Sequence, residues 1–278
     1  MNGASELRAL AESIATRAGD IIVERRRHHV EVAATKSTDV DVVTAVDHEA
    51  ETLIQELLAS ARPGDGFVGE EGGSGESTTG VSWVVDPIDG TVNFLYGIPH
   101  YAVSIAAVEG DPSPGSWDLQ AGVVLNPVTG EMFSAGKGQG ATLNNSSLHV
   151  AAPVPLAQAL WLTGFAYAKH FREEQGRLAH AILPEVRDIR RAGTASLDLA
   201  FIAAGRGNIY FERTLSPWDH AAGELLVTEA GGLVTGFGVE PASREAIFAG
   251  HPEMVELFQQ LVADCDGQRP LSELVPTS

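Results

Sequence analysis

Asp86 and Asp89 stand three residues apart around Pro87 in WVVDPIDGTVNF, residues 83–94, directly after a hydrophobic run and directly before Gly90 and Thr91. Two like charges closing a buried strand repel one another unless something positive lies between them. Strand ends are where layered α/β proteins carry functional groups, because the strand fixes the backbone while its end opens on a crevice. Pro87 biases Asp86 toward extended geometry, so the two carboxylates are expected to converge around a tight turn. A helix starting at Gly90-Thr91 would aim its free N–H groups outward and make an anion seat beside the acids. Cations held by acids, next to amides suited to phosphate, are what metal-assisted phosphoryl transfer requires.

Further acids sit at comparable points. VGEEGG, residues 68–73, reads as a second strand ending in Glu70 and Glu71, and SPWD, residues 216–219, opens a helix with Asp219 in its first turn. Each has a plainer reading when taken singly. An Asp after a strand is usually a turn former or helix N-cap, a Glu pair before glycines is usually solvated surface, and an acid in a first helical turn is favoured by the helix dipole. Their combination in one chain is what points to a site.

The bulk composition bounds the rest. At 278 residues and 44% hydrophobic content the chain can bury a sizeable core, as one large domain or two intimately packed ones. No apolar run approaches the roughly 20 residues of a membrane span. The N-terminal MNGASELRALAES carries charges where a signal peptide is apolar, and Cys265 is the single cysteine, so a reducing cytoplasm is the expected location. A net charge of -19 argues against a nucleic-acid surface, with Arg25-Arg26-Arg27 and Arg190-Arg191 as local exceptions. It still permits an anionic substrate if bound cations reverse the local field.

The elements that must position these acids follow from periodicity. Residues 5–27 place Leu7, Leu10, Ile14, Ala18, Ile21 and Ile22 on one helical face, with Ser5 as N-cap. A second helix runs from about Asp47 to Arg62-Pro63-Gly64, and residues 36–46 between them read as a loop. Short β-type runs then alternate with turns: 67–68, 83–85, 102–108, 122–125, 131–134 and 141–143. Beyond Pro155 the pattern predicts a strand over 159–165, helices over 171–183 and 195–204, a strand over 208–211, and helices over 217–230 and 253–263. The order describes an α+β first half, residues 1–150, carrying most of the acids, and an α/β second half, residues 151–278, carrying Asp219.

Taken together, these segments resemble the inositol monophosphatase family of Mg²⁺-dependent, lithium-sensitive sugar phosphatases. The likeness runs in order through DVVTAVD (41–47), GEEGG (69–73), WVVDPIDGTVNFLYGIP (83–99), GTASLDLAFIAAGR (193–206) and WDHAAGELLVTEAGG (218–232). It implies an α/β (α+β) fold of layered αβαβα type and a homodimer. By the same resemblance Glu70, Asp86 and the Ile88 carbonyl hold one Mg²⁺, Asp86 bridges to a second, and Asp89 and Asp219 hold that second ion, with two or three ions per site. Glu70 and Thr91 would orient and deprotonate the attacking water, Asp47 would support Thr91, and Lys36 would lie on a mobile loop near the substrate. Asp89, Gly90 and Thr91 would seat the phosphate, and Gly193, Thr194, Ala195 and Glu212 would meet the alcohol.

The activity so implied is hydrolysis of myo-inositol monophosphate to inositol and phosphate. The same chemistry could serve histidinol phosphate, fructose 1,6-bisphosphate or a nucleotide 3'-phosphate, and a different class would be a regulatory or RNA-associated binding protein on this fold. Metals fit the size of the barrier. Monoester hydrolysis needs accelerations up to about 10²¹, whereas side-chain acid–base catalysis supplies about 10² to 10⁴. Two positions depart from the family pattern. Asn144-Asn145 replaces Asn-Gly at a turn, and His220 follows Asp219, where a helical neighbour points about 100° away and so suits packing or surface. The glycines of GKGQGA (136–141) lie between strands and make a poor dinucleotide motif.

Overall fold

The computed structural model describes residues 3–27, 32–35 and 42–275. The chain opens with α1 (Gly3–Arg26), a two-stranded ribbon of β1 (Val32–Thr35) and β2 (Val42–Thr44), and α2 (Ala45–Ala61). There follow β3 (Gly66–Gly69), β4 (Ser74–Gly75), β5 (Val81–Asp89), α3 (Thr91–Tyr96), β6 (Ala102–Gly110), β7 (Trp117–Asn126), β8 (Glu131–Gly136), β9 (Ala141–Leu143) and β10 (Ser146–Ser147). The second half contains β11 (Leu160–Leu162), α4 (Lys169–Ile182), β12 (Asp188–Arg190), α5 (Ala195–Ala203), β13 (Ile209–Glu212), α6 (Pro217–Glu229), β14 (Leu233–Thr235), β15 (Ile247–Gly250), α7 (Pro252–Asp264) and α8 (Leu271–Leu274).

Strands β3 to β10 form an eight-stranded sheet in the order β10-β9-β8-β7-β6-β5-β3-β4, antiparallel except between β3 and β5. The other sheet has the order β12-β11-β13-β15-β14, with β11 parallel to both of its neighbours. Alternation along the strands sorts the cores. Trp83 and Val85 of β5 pack with Leu7, Ile14 and Ile22 of α1 and Ile54 of α2. Val84 faces the other way, into a cluster with Leu197 and Ile202 of α5, Leu225 and Leu226 of α6, and Tyr210 of β13. Ile209 and Phe211 point to α4 and α7, where Leu178, Phe258 and Val262 cover them. The result is helix, sheet, helix, sheet, helix, with α5 and α6 as the shared middle layer.

Several local expectations are refined. Helix α1 starts at Gly3, so Ser5 lies within it instead of capping it. The ribbon strand β2 runs into α2 through what read as loop, and Lys36 lies outside the described residues. Asn144 and Asn145 both take positive φ, 47° and 68°, and link the paired strands β9 and β10 by a two-residue turn, the conformation for which Asn-Gly is otherwise chosen. In the 136–141 loop the amides of Gly138, Gln139 and Gly140 converge on the Glu229 carboxylate at 2.7–3.0 Å, so its N–H groups are taken by an internal anion. His220 is fully buried, its ring 5.4 Å from that of Trp117, which makes it a packing residue.

Candidate active site

The geometry begins with an irregularity in β5. Asp86 lies opposite Ser104 and Asp89 opposite Ala102, so three residue steps on β5 match two on β6. This bulge replaces the expected tight turn. An offset of three normally puts side chains on opposite faces; the extra residue returns Asp89 to the face of Asp86. That face is the one Val84 occupies, toward α5 and α6. Strand β3 runs parallel to β5 with Val68 beside Val84 and Gly69 beside Val85, so Glu70, two residues beyond Val68, falls on the same side next to Asp86. Ile88 buries its side chain among the α1 and α2 residues, and therefore borders the acidic cleft through its backbone.

Three of the acids also sit at helix N-termini. Asp47 is the third residue of α2, where its carboxylate accepts the Thr44 amide at 2.9 Å and the Thr44 hydroxyl, closing a capping box. Asp89 accepts the Ser196 amide at 2.6 Å, in the first turn of α5. Asp219 accepts the Ser216 amide at 2.7 Å in the capping box of α6. Asp47 and Asp219 thus cap their own helices, whereas Asp89 serves the start of α5 from another element. The positive ends of α5 and α6 point at one acidic cleft and offset part of the repulsion between its carboxylates. Ser104 ties the start of α6 to β6 by donating to the Trp218 carbonyl at 3.3 Å.

Thr91 connects this cluster to α2. Its buried hydroxyl lies 3.2 Å from Asp47 Oδ1 and 3.1 Å from the Ile88 carbonyl oxygen, donating to either. When the proton points to Asp47, the Thr91 oxygen keeps a lone pair free for another donor. Gly90 precedes it at φ 94°, a left-handed conformation; a Cβ there would also lie 3.2 Å from the His100 carbonyl oxygen and 3.3 Å from that of Gly193. Asn93 bonds the His100 and Ala192 carbonyls at 2.7 and 2.9 Å, and Thr194 donates to His100 at 2.8 Å. The 90–94 and 192–195 segments are thereby held edge to edge. On the opposite side, the Glu51 carboxylate accepts the amides of Glu71 and Gly73, each at 2.8 Å, and pins the turn that carries Glu70.

One cleft is lined by Glu70, Asp86, Asp89, Gly90, Thr91 and Asp219 together with Gly193, Thr194, Ala195 and Glu212. All the described residues expected at the site, apart from Asp47 behind Thr91, therefore meet in it. Sequence reasoning missed Asp198, Arg191, Asn93 and Glu51. Asp198 had a signal: it is the one acid in an otherwise apolar helix, ASLDLAFIA. Glu51 follows Asp47 by one helical turn on the same face, which was equally readable.

Electrostatics at the cleft follow from burial and mutual repulsion. The Asp86 carboxyl is pushed well above the ordinary aspartate range, first by burial and then by the charges of Glu70, Asp89 and Asp219. Asp219 is raised likewise, by burial and by Glu70 and Asp89. Burial lifts Asp89 to about 6 although the Ser196 amide opposes the shift. Such a site gains by taking up positive charge, as protons or as cations. Its donors are all oxygen, the set that suits small hard cations. Among the described residues no three His, Cys, Asp or Glu side chains are grouped tightly enough to hold an ion unaided, so such an ion would complete its shell with backbone, water or substrate oxygen.

The profile of the inositol monophosphatase family matches residues 4–265. The chain belongs to the inositol monophosphatase family. It is 43% identical over 254 residues to an inositol-1-monophosphatase of Mycobacterium leprae, covering 84% of each chain. It is 38% identical over 252 residues to the Nus factor SuhB of Escherichia coli, covering 89% of this chain and 92% of that one. Among solved structures, the extragenic suppressor protein SuhB of Bartonella henselae superposes with a TM-score of 0.84 at 34% identity, covering 91% of this chain and 97% of the other. Members of the family are phosphatases and generally depend on metal ions. Among the described residues no helix is long and apolar enough to cross a membrane.

Proposed function

We propose that the chain hydrolyses myo-inositol monophosphate to inositol and phosphate, with Mg²⁺ held by Glu70, Asp86, the Ile88 carbonyl, Asp89 and Asp219. The observation that carries this reading is the convergence of those four acids beside the Thr91–Asp47 pair. Bound ions would offset the charge of the acids and of the phosphate and stabilise both the attacking and the leaving oxygens of an in-line displacement.

The chain's own groups have distinct roles. Asp47, fixed by Thr44, holds the Thr91 hydroxyl so that its oxygen can take a proton from the attacking water as its own proton passes to Asp47, while Glu70 approaches from the β3 side. Gly90 and Thr91 offer backbone to the phosphate, at a point where no side chain could stand on residue 90. Glu212 borders the same cleft, with the Tyr210 hydroxyl donating to Oε2 at 2.6 Å, so that Oε1 is left to accept from an alcohol hydroxyl. This favours a polyol over histidinol phosphate, whose amine asks for different recognition. Lys36 belongs to the proposal only through the family resemblance.

The E. coli relative's name supports a second reading, a regulatory, RNA-associated protein. Against it stand the net charge of -19 and the pairing of Arg25 with Glu49, Arg27 with Glu24 and Arg190 with Asp188, which occupies basic groups that could face phosphates. Phosphate release from a panel of monoesters, inositol phosphate, histidinol phosphate, fructose 1,6-bisphosphate and a nucleotide 3'-phosphate, separates the readings. Fastest turnover of inositol phosphate supports the proposal, and silence on every ester in the presence of Mg²⁺ would remove it.

A further inference from the structure

Asp198 is the unexplained group of the cleft. It is 1% exposed, borders the same cleft as Glu212, and its Oδ1 has no hydrogen-bond partner among the described residues. Buried carboxyls are normally bonded, because an unpaired one forfeits its hydration for nothing. Its place in the first turn of α5 does not account for it. An acid there would serve as a cap or face solvent, yet α5 has no side-chain cap bond, and its Ser196 amide is served by Asp89 from another element.

The surroundings say what Asp198 could meet. The Asp198 amide donates to the Thr194 carbonyl at 3.0 Å, which sets the residue one helical turn beyond the 193–195 segment. Glu212 is close enough for its charge to raise the proton affinity of Asp198, second only to burial, and Arg191 opposes the rise in both acids. Glu212 itself lies against Gly164, where a Cβ would collide with its carboxylate, and gives one oxygen to Tyr210. Two neighbouring carboxyls with spare oxygens therefore face one opening, with a guanidinium at its rim. A single hydroxyl could satisfy one of them; adjacent hydroxyls on a ring satisfy both.

We propose that Asp198 is a specificity-determining residue that works with Glu212 to hold adjacent hydroxyls of the polyol half of the substrate. This rests on the phosphatase reading above and adds a residue to it. The test compares kcat/KM for myo-inositol 1-phosphate and for p-nitrophenyl phosphate, which has no ring hydroxyls, in wild type, Asp198→Ala and Asp198→Asn. Leaving a buried substrate hydroxyl without its partner should cost about tenfold. Asp198→Ala should therefore lower inositol phosphate kcat/KM by that factor, mostly through KM, and Asp198→Asn, which keeps one acceptor oxygen, should recover part of it. Both variants should hydrolyse p-nitrophenyl phosphate within about twofold of wild type, which also reports that they fold. Equal losses on both substrates, or no loss on either, overturn the role of Asp198 and leave the phosphatase reading standing. If wild type hydrolyses neither ester, the phosphatase reading falls and this role with it.

Discussion

Replacing Glu212 by Gln changes one oxygen to an amide nitrogen and should make the protein more stable, increasingly so as pH rises. Burial raises the Glu212 carboxyl from 4.5 to about 7, against the opposing effects of the Tyr210 hydroxyl and Arg191. Between those values the folded protein keeps a proton that the unfolded chain has already shed, so stability falls as pH rises through the window and levels off above it. Integrated from pH 5 to pH 8, this amounts to about 2.5 kcal/mol, at about 1.4 kcal/mol per pKa unit. The substituted amide titrates nowhere in the range, and its oxygen can still accept from Tyr210. Urea unfolding of both proteins at each pH isolates the effect, since the other buried acids are common to both and largely cancel. With slopes of a few kcal/mol per molar urea, the midpoint advantage of Glu212→Gln should widen by roughly 1 M between pH 5 and pH 8. Parallel pH profiles would show that Glu212 is ionised without penalty in the folded protein and would refute the argument from burial. A gain in stability with loss of inositol phosphate turnover would be the expected signature of an acid kept for recognition at a cost to the fold.

Two further outcomes follow from the bonding around the cleft. Thr91→Ala removes the hydroxyl that links Asp47 to the attacking water, so steady-state kinetics should give a kcat lowered by about 10² to 10⁴ with KM little changed, and Thr91→Ser should restore most of it. Glu51→Gln sets an amide donor against the N–H of Glu71 or Gly73, which should cost about 1.5–3 kcal/mol in urea unfolding and, by loosening the Glu70 turn, lower kcat as well. An unchanged unfolding midpoint would mean that the turn does not depend on Glu51.

The acids were legible in the sequence because their neighbours were. Asp86 and Asp89 stand out against a hydrophobic run and a proline, and Asp219 against a Ser-Pro helix start. The plain reading of Asp219 was correct too, since it caps the first turn of α6, whereas Asp89 bonds the start of α5 and not that of the helix following it. What the sequence could not show is that these helix ends point into one cleft, because that depends on sheet order. The bulge in β5 was illegible for a related reason: it is defined by the register against β6, not by its own residues. Strands β12, β14 and β15 escaped notice because each has only three or four residues, too few for periodicity to register. Asp198 carries a sequence signal as the one acid of an apolar helix, but its near-complete burial is visible only in the fold.

The central claim is that the acids of this cleft hold the cations on which hydrolysis depends. Its most direct test is phosphate release from myo-inositol 1-phosphate as a function of Mg²⁺ concentration, run side by side for wild type and Asp86→Asn. Asp86 is the most deeply placed of the four acids proposed to hold the ions and feels all three of the others. Wild-type activity should be absent in chelator and rise to saturation with Mg²⁺, and Asp86→Asn should lose at least about a hundredfold at every concentration. Activity that persists in chelator, or that survives undiminished in Asp86→Asn, would contradict the account.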